Sequence, residues 1–193
     1  TIGLIKQEQH FEITTFRREN EYIDYRRPSV ISFTKDLKED VMRRDFTMNA
    51  LAFHPKKGVI DLVGGLDDIH SKIIRTVGDP YARFGEDALR ILRAIRFALQ
   101  TDFTIEKKTR SAMEKQLSLL KNIAIERIRD EIFKCFYALD TQDTTLLAEV
   151  LVMLFPSLSK IKRRDLKKIF SQFHLLPQDI AMYLSLLFSQ NKT

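Results

Sequence analysis

Residues 10–17, HFEITTFR, alternate along the chain: Phe11, Ile13 and Thr15 fall on one side and Glu12, Thr14 and Phe16 on the other. A period of two in β-branched and aromatic residues predicts a strand. The charged stretch RRENEYIDYRRP reads as a turn and leads to a second strand over residues 30–33 and a short charged helix over residues 37–43. Apolar segments at 51–53 and 59–62 flank HPKKG, which predicts a hairpin with Gly58 in its turn. Beyond Gly64 and Gly65 the pattern changes. One strand-like piece, IIRTV at 73–77, precedes helical patterns at about 106–115, 126–139, 144–154, 164–173 and 177–189. Asp79 followed by Pro80 suits an N-cap and a first helical position. The reading is α+β: mixed α and β to about residue 65, all-α afterwards, with a boundary within 66–79.

Residues 86–100, EDALRILRAIRFALQ, carry more information than the other helical stretches. At 100° per residue, Ala88, Ile91, Leu92, Ile95, Ala98 and Leu99 fall within an arc of about 120°. Arg90, Arg93 and Arg96 occupy the opposite side, and Asp87 lies at one border of the apolar arc. One reading is an ordinary amphipathic helix with an Asp87–Arg90 pair at i, i+3. The other starts from three arginines with no acidic residue at i+4, a face that repels itself unless an anion sits against it; the planar guanidinium fork suits phosphate. Asp87 and Arg90 together can accept from an exocyclic amino group and donate to a ring nitrogen, the edge that cytosine and adenine share and that guanine and uracil reverse.

Composition narrows the field. With 193 residues and 44% hydrophobic content the chain can bury a real core. Its formal charge of +6 favours anionic partners without choosing among RNA, nucleotides and acidic surfaces. Cys135 is the one cysteine, which excludes an intrachain disulfide or a cysteine-rich zinc site and fits a buried thiol in a reducing cytoplasm. The sequence holds no run of about 18 apolar residues and no signal-like start, so nothing calls for a membrane. KIKRRDLKK, residues 160–168, is a basic patch that serves either as a solvated helix start or as an RNA contact. His10, His54, His70 and His174 show no metal-ligand spacing, and Phe170, Phe173 and Phe188 recur at helical spacing as core residues.

RRDFTMNALAF at 43–53 crowds arginines, an aspartate and an asparagine onto the edge of an apolar segment. Together with FEITTFR, YRRP, DLVGGLDDIHSKIIRTVGDPYARFGEDALRILRAIRFA and IERIRDEIFK, in that order, it resembles the class II tRNA nucleotidyltransferases and bacterial poly(A) polymerases. The likeness covers roughly residues 8–139, with a fainter echo at VLVMLFPSL. It implies the C-terminal part of a nucleotidyltransferase head over residues 1–68, a helical neck that reads the base over 69–139, and the start of a helical body over 140–193. It also implies an activity: addition of C or A from CTP or ATP to a tRNA 3′ end. By the same resemblance Arg44 binds the nucleotide, Asp45 and Asn49 recognise hydroxyls, Asp87 and Arg90 read the base edge, and Arg93 and Arg96 make further nucleotide contacts.

In that family an RNA 3′ hydroxyl attacks the α-phosphorus of an NTP, with Mg2+ held by an Asp-x-Asp pair near a Gly-Gly motif that grips the triphosphate. Glu12 matches the strand carboxylate beside that pair. Neither the pair nor that Gly-Gly motif occurs here, since Gly64 and Gly65 follow RRDFTMNA instead of preceding it. With a first residue Thr1 instead of Met, this leads us to expect an upstream head segment outside the sequence, and little or no activity from these residues alone. A poly(A) polymerase is the alternative within the family. A non-catalytic RNA-binding derivative of the fold is the alternative outside it.

Overall fold

Gln7 and Glu8 take left-handed backbone angles, with φ of 49° and 62°, and so fold β1 (Ile2–Lys6) back onto β2 (Gln9–Ile13). The pairing is antiparallel, with Leu4 opposite Phe11 and Gly3 opposite Glu12. The computed structural model describes residues 1–19, 22–23, 27–28, 31–139 and 144–189. Much of the expected charged turn, including Tyr25 and Arg26 of YRRP, lies outside the described residues, as do Val30 and residues 190–193. The alternating stretch at 10–17 is therefore two pieces: β2 ends at Ile13, and β3 (Arg17–Glu19) pairs with a later strand.

β4 (Tyr22–Ile23) pairs with β5 (Arg27–Pro28), and β3 pairs antiparallel with β6 (Ile31–Phe33). Asp36 caps α1 (Leu37–Met42) by accepting from Lys38 N. A single 3-10 turn, Thr47–Asn49, precedes the expected hairpin of β7 (Ala52–His54) and β8 (Gly58–Ile60), in which Gly58 has φ 74°.

Asp61 then organises α2 (Gly65–His70). Its Oδ1 accepts from Val63 N and Gly65 N and its Oδ2 from Leu66 N, satisfying donors that the first turn leaves open. This start presses the backbone of Gly65 against the Thr47 turn; a Cβ there would lie 2.3 Å from the Thr47 carbonyl oxygen.

β9 (Ile73–Ile74) stops short of the expected strand end, although Thr76 still bridges to Phe46. Thr47 N donates to Arg75 O, and Val77 N donates to Asp45 O, so the Asp45–Thr47 segment is sewn to residues 75–77. α3 (Pro80–Glu86) begins with Asp79 accepting from Ala82 N and Pro80 in its first turn, as the sequence predicts.

The expected continuous helix over 86–100 is broken. Asp87 ends α3 in an extended conformation, φ −144° and ψ 101°, and α4 (Leu89–Thr101) starts afresh. The Asp87 carboxylate accepts from Leu89 N, the local bond by which aspartate competes with helical continuation.

β10 (Thr104–Ile105) runs parallel to β9, and α5 (Lys107–Gln116) packs against α3. α6 (Ile125–Tyr137) packs on α4, followed by α7 (Thr145–Leu154), α8 (Arg163–Phe170) and α9 (Ile180–Ser189). One cluster of buried side chains runs from Phe46 through α4 and α6 to Leu187; a smaller one joins Val41, Ala50 and Val77. Most of the inward arc of α4 is as predicted, with Ala88, Ile91, Leu92, Ile95 and Leu99 buried and Ala98 half-buried; Arg90, expected on the opposite side, is buried as well. The result is a mixed helix and strand fold whose short strands hold the Arg43–Phe53 region against a helical core.

Candidate active site

Asp40, in the first turn of α1, holds two of the motif's arginines. Arg43 Nη2 donates to Asp40 Oδ1 at 2.6 Å, and Arg44 Nη2 donates to Asp40 Oδ2 at 3.2 Å. Spacings of three and four residues place all three side chains on one helical face, so this part of the site is local. Burial would raise the Asp40 pKa, but bonds from Arg43, from Arg17 N and from Arg44 outweigh it and hold the carboxyl below its usual range. Arg44 also donates through Nη1 to Asn49 O at 3.3 Å, and its side chain remains 41% exposed. It is a tethered guanidinium with a solvent-facing part, the condition a phosphate-binding arginine needs.

Asp45 is buried. Its Oδ1 accepts from Phe46 N, and its Oδ2 takes both Nε and Nη2 of Arg93, at 2.8 and 2.6 Å. Asn49 Nδ2 reaches the same carboxylate at 3.5 Å. The turn and α4 are thus locked together across 48 residues.

α1 is gripped from the other side as well. Arg83 donates to Met42 O and Arg90 Nη2 donates to Arg43 O, both at 3.0 Å. Cations on the terminal carbonyls of a helix satisfy acceptors the helix itself leaves open.

The arginine face of α4 differs from the sequence reading in two respects. First, the three arginines have carboxylate partners. Arg90 pairs with Glu86 at 2.7 Å, Arg93 with Asp45, and Arg96 with Glu131 of α6 at 2.8 Å. None of these partners is at i+4: they lie four residues back or on other elements. Second, Asp87 and Arg90 each bond partners outside the expected pair. Arg127 of α6 holds both Asp87 oxygens, at 3.0 and 3.4 Å, while Arg90 donates to Glu86, Arg83 O and Arg43 O. A carboxylate has about four lone-pair sites. Leu89 N and the two Arg127 nitrogens take three of those on Asp87, and one remains for an incoming donor.

A part-buried polar chain extends from the Thr47 turn. Thr47 Oγ1 donates to Asp68 Oδ2 at 2.6 Å, Arg75 bonds Asp68 and Glu106, and Thr109 donates to Glu106. Glu131 is 4% exposed; its burial is outweighed by bonds from Lys134 and Arg96, which lower its pKa. Phe97 carries the Arg96 guanidinium 4.1 Å from its ring centroid.

Arg44, Asp45, Asn49, Arg90 and Arg93 are thereby joined through α1, the Thr47 turn and α4, and Asp87 and Arg96 are fixed to α6. Glu12 stands apart, exposed on β2 opposite Gly3. Asp40 and Glu86 escaped the sequence reading although helical spacing to Arg43, Arg44 and Arg90 was there to be used. Arg127 and Glu131 lie within IERIRDEIFK, where no local signal names their partners 40 and 35 residues away. Among the described residues no group of three or more His, Cys, Asp or Glu could hold a metal ion. Glu12 by itself does not fit a magnesium site. No helix among them is long and apolar enough to cross a membrane.

Residues 1–75 match the model of the poly A polymerase head domain, and residues 102–161 match that of the probable RNA and SrmB-binding site of polymerase A. The CCA-adding enzyme of Pediococcus pentosaceus is 52% identical over 134 residues, covering 69% of this chain and 34% of that protein. The crystal structure of Bacillus stearothermophilus CCA-adding enzyme in complex with CTP superposes with a TM-score of 0.64 at 35% identity, over 79% of this chain and 35% of that one. The Thermotoga maritima CCA-adding enzyme complexed with tRNA gives 0.62 at 27% identity, over 79% of this chain and 41% of that one. The chain spans about a third of the length of the curated relatives it matches.

Proposed function

Since this chain belongs to the family of class II CCA-adding enzymes and poly(A) polymerases, we propose that it supplies nucleotide selection to the template-independent addition of C and A, from CTP and ATP, to the 3′ end of tRNA. The observation that carries this reading is the junction of two motifs far apart in sequence. Arg93 binds Asp45, and Arg90 binds the Arg43 carbonyl, so the Arg44 turn and the Asp87–Arg90 segment form one site.

Arg44 meets the nucleotide phosphates with its exposed guanidinium. Asp45 and Asn49 present the hydroxyl-recognising groups, with Arg93 fixing the Asp45 carboxylate. Asp87 accepts from the exocyclic amino group of cytosine or adenine, and Arg90 donates to the adjacent ring nitrogen; guanine and uracil would leave these groups facing like with like. Arg96 completes the face.

The RNA 3′ hydroxyl attacks the α-phosphorus and pyrophosphate leaves. In the family Mg2+ assists that step and Glu12 is the matching carboxylate, but one exposed glutamate does not make a metal site. Residues 1–68 are assigned to the head, 69–139 to the neck and 140–193 to the start of the body. A cytoplasmic setting goes with a tRNA substrate.

The test is titration of the chain with each of the four NTPs. CTP and ATP should bind at least about tenfold tighter than UTP and GTP, and Asp87→Ala should abolish that preference. Equal binding of all four, or a preference that survives Asp87→Ala, sinks the assignment. Tight binding of ATP alone would move the protein to the poly(A) reading.

A further inference from the structure

An arginine that binds phosphate loses attraction when a carboxylate stands beside it, yet Asp40 Oδ2 lies 3.2 Å from Arg44 Nη2. By charge alone Asp40 opposes the binding of a triphosphate. Nor does the fold call for it. Its side chain is 2% exposed, and replacing a buried ion pair by apolar residues of similar volume is often neutral or stabilising. The start of α1 is already provided for, since Asp36 caps it through Lys38 N and Glu39 adds a further negative charge to the first turn.

Asp40 instead serves the two arginines that follow it. Its Oδ1 accepts from Arg17 N at 3.2 Å and from Arg43 Nε and Nη2 at 2.9 and 2.6 Å, and Arg43 Nε also donates to Arg17 O at 3.2 Å. The backbone of β3 and the Arg43 side chain thus hold one carboxylate oxygen, which leaves the other turned to Arg44. Arg44 is fixed at two points, through Nη2 on Asp40 and through Nη1 on the Asn49 carbonyl oxygen. Its guanidinium has more N–H groups than these two bonds use, and the rest stay available to a ligand. Without the tether, a long side chain 41% exposed would sample many rotamers, and ordering it on binding would cost affinity.

We propose that Asp40 is a positioning residue for the nucleotide phosphates: it fixes the Arg44 guanidinium before the nucleotide arrives, and this preorganisation adds more to affinity than the negative charge of Asp40 subtracts. The proposal rests on the reading of Arg44 as the phosphate-binding arginine. It adds the residue that makes Arg44 effective, and it ties Arg44 to β3, the strand after the one that carries Glu12. Asp40 touches neither base nor RNA. The preference for cytosine and adenine, set at Asp87 and Arg90, is independent of it.

The sign of one substitution separates positioning from charge. Asp40→Asn keeps the shape of the side chain and removes its charge. If the carboxylate only offsets Arg44, a triphosphate should bind about twofold tighter once that negative charge is gone. If the carboxylate positions Arg44, binding should weaken.

The test is calorimetric titration of the full chain with CTP, UTP and inorganic triphosphate, below the melting midpoint of every variant. Asp40→Asn should weaken CTP and triphosphate alike, by about fivefold or more, with the ratio of CTP to UTP binding unchanged. Asp130→Asn, at an exposed pair on α6, makes the same change in net charge and should match the parent. Asp40→Glu keeps the charge but displaces the oxygens by a methylene. It should cost about two- to threefold, and it decides the matter if Asp40→Asn does not fold, because parental affinity in Asp40→Glu would mean that charge suffices. In an Arg44→Ala background Asp40→Asn should add nothing, since the residue it acts through is gone. Equal or tighter binding by Asp40→Asn, a shifted ratio of CTP to UTP, or an undiminished further loss in the Arg44→Ala background overturns the proposal while leaving the nucleotide site intact. If Arg44→Ala binds triphosphate as the parent does, the reading of Arg44 fails and the proposal fails with it, whereas the preference for CTP over UTP still reports on Asp87 and Arg90.

Discussion

Arg127 of α6 holds the Asp87 carboxylate at 3.0 and 3.4 Å, across 40 residues of chain. Asp87 sits in the break between α3 and α4, where its carboxylate has one local bond, from Leu89 N. The orientation of the proposed base-reading carboxylate is therefore set jointly by the start of α4 and by another helix. Arg127→Ala should cost about 1 to 3 kcal/mol of stability, because it strips a half-buried carboxylate of its cation. It should also narrow the gap between CTP and UTP binding more than it weakens triphosphate binding through Arg44. Titration with both nucleotides and with inorganic triphosphate separates the two effects, and Arg127→Lys should recover part of the preference.

Gly65 touches the Thr47 turn so closely that Gly65→Ala would put a methyl group 2.3 Å from a backbone oxygen. Backbone cannot swing aside as a side chain does, so we expect a loss of about 2 kcal/mol or more, read as a fall of roughly 4 to 8 °C in the melting midpoint. Gly64→Ala is the control, since no atom lies within 4 Å of a Cβ there and only its left-handed backbone resists.

Glu131 should make stability depend on acid. Burial alone would raise its pKa, but Lys134 and Arg96 more than offset that and lower it in the folded state. Its contribution is then complete above the unfolded carboxyl value of about 4.3 and is lost as pH falls through the lower folded value. Asp40 acts in the same direction and window. Melting curves between pH 7 and pH 3 should show a drop below about pH 4.5 that is shallower in Glu131→Gln, with that variant less stable at pH 7.

Cys135 is fully buried within the main core, and burial pushes its thiol pKa well up. The native protein should resist a thiol reagent at pH 8, and labelling should appear only as denaturant unfolds the chain. Rapid labelling of native protein would contradict the packing of α6 on α4.

The hairpin of β1 and β2 shows where local reading stops. Its turn is made by Gln7 and Glu8, whose left-handed angles are usually supplied by glycine or asparagine, so the sequence carries no turn signal there. The alternation at 10–17 was real but ran across the break between β2 and β3. At Asp87 the apolar period of α4 was sound, and the capping tendency of aspartate, together with Gly85 just before it, ended α3 without disturbing that period.

What the sequence determined by itself were the features set within a turn or two of chain: the helices of the C-terminal two-thirds, the Asp79–Pro80 start of α3, the Gly58 hairpin, and the buried arc of α4. The ordered motifs also pointed to the family before any contact was known. Only the tertiary structure decided which charge meets which. Asp45 meets Arg93, Asp87 meets Arg127, and Glu131 meets Arg96, because α4, α6 and the Thr47 turn pack on one core and bring residues 35 to 48 apart within hydrogen-bond distance. Backbone periodicity is a local property of the chain, whereas charge pairing depends on its path through space.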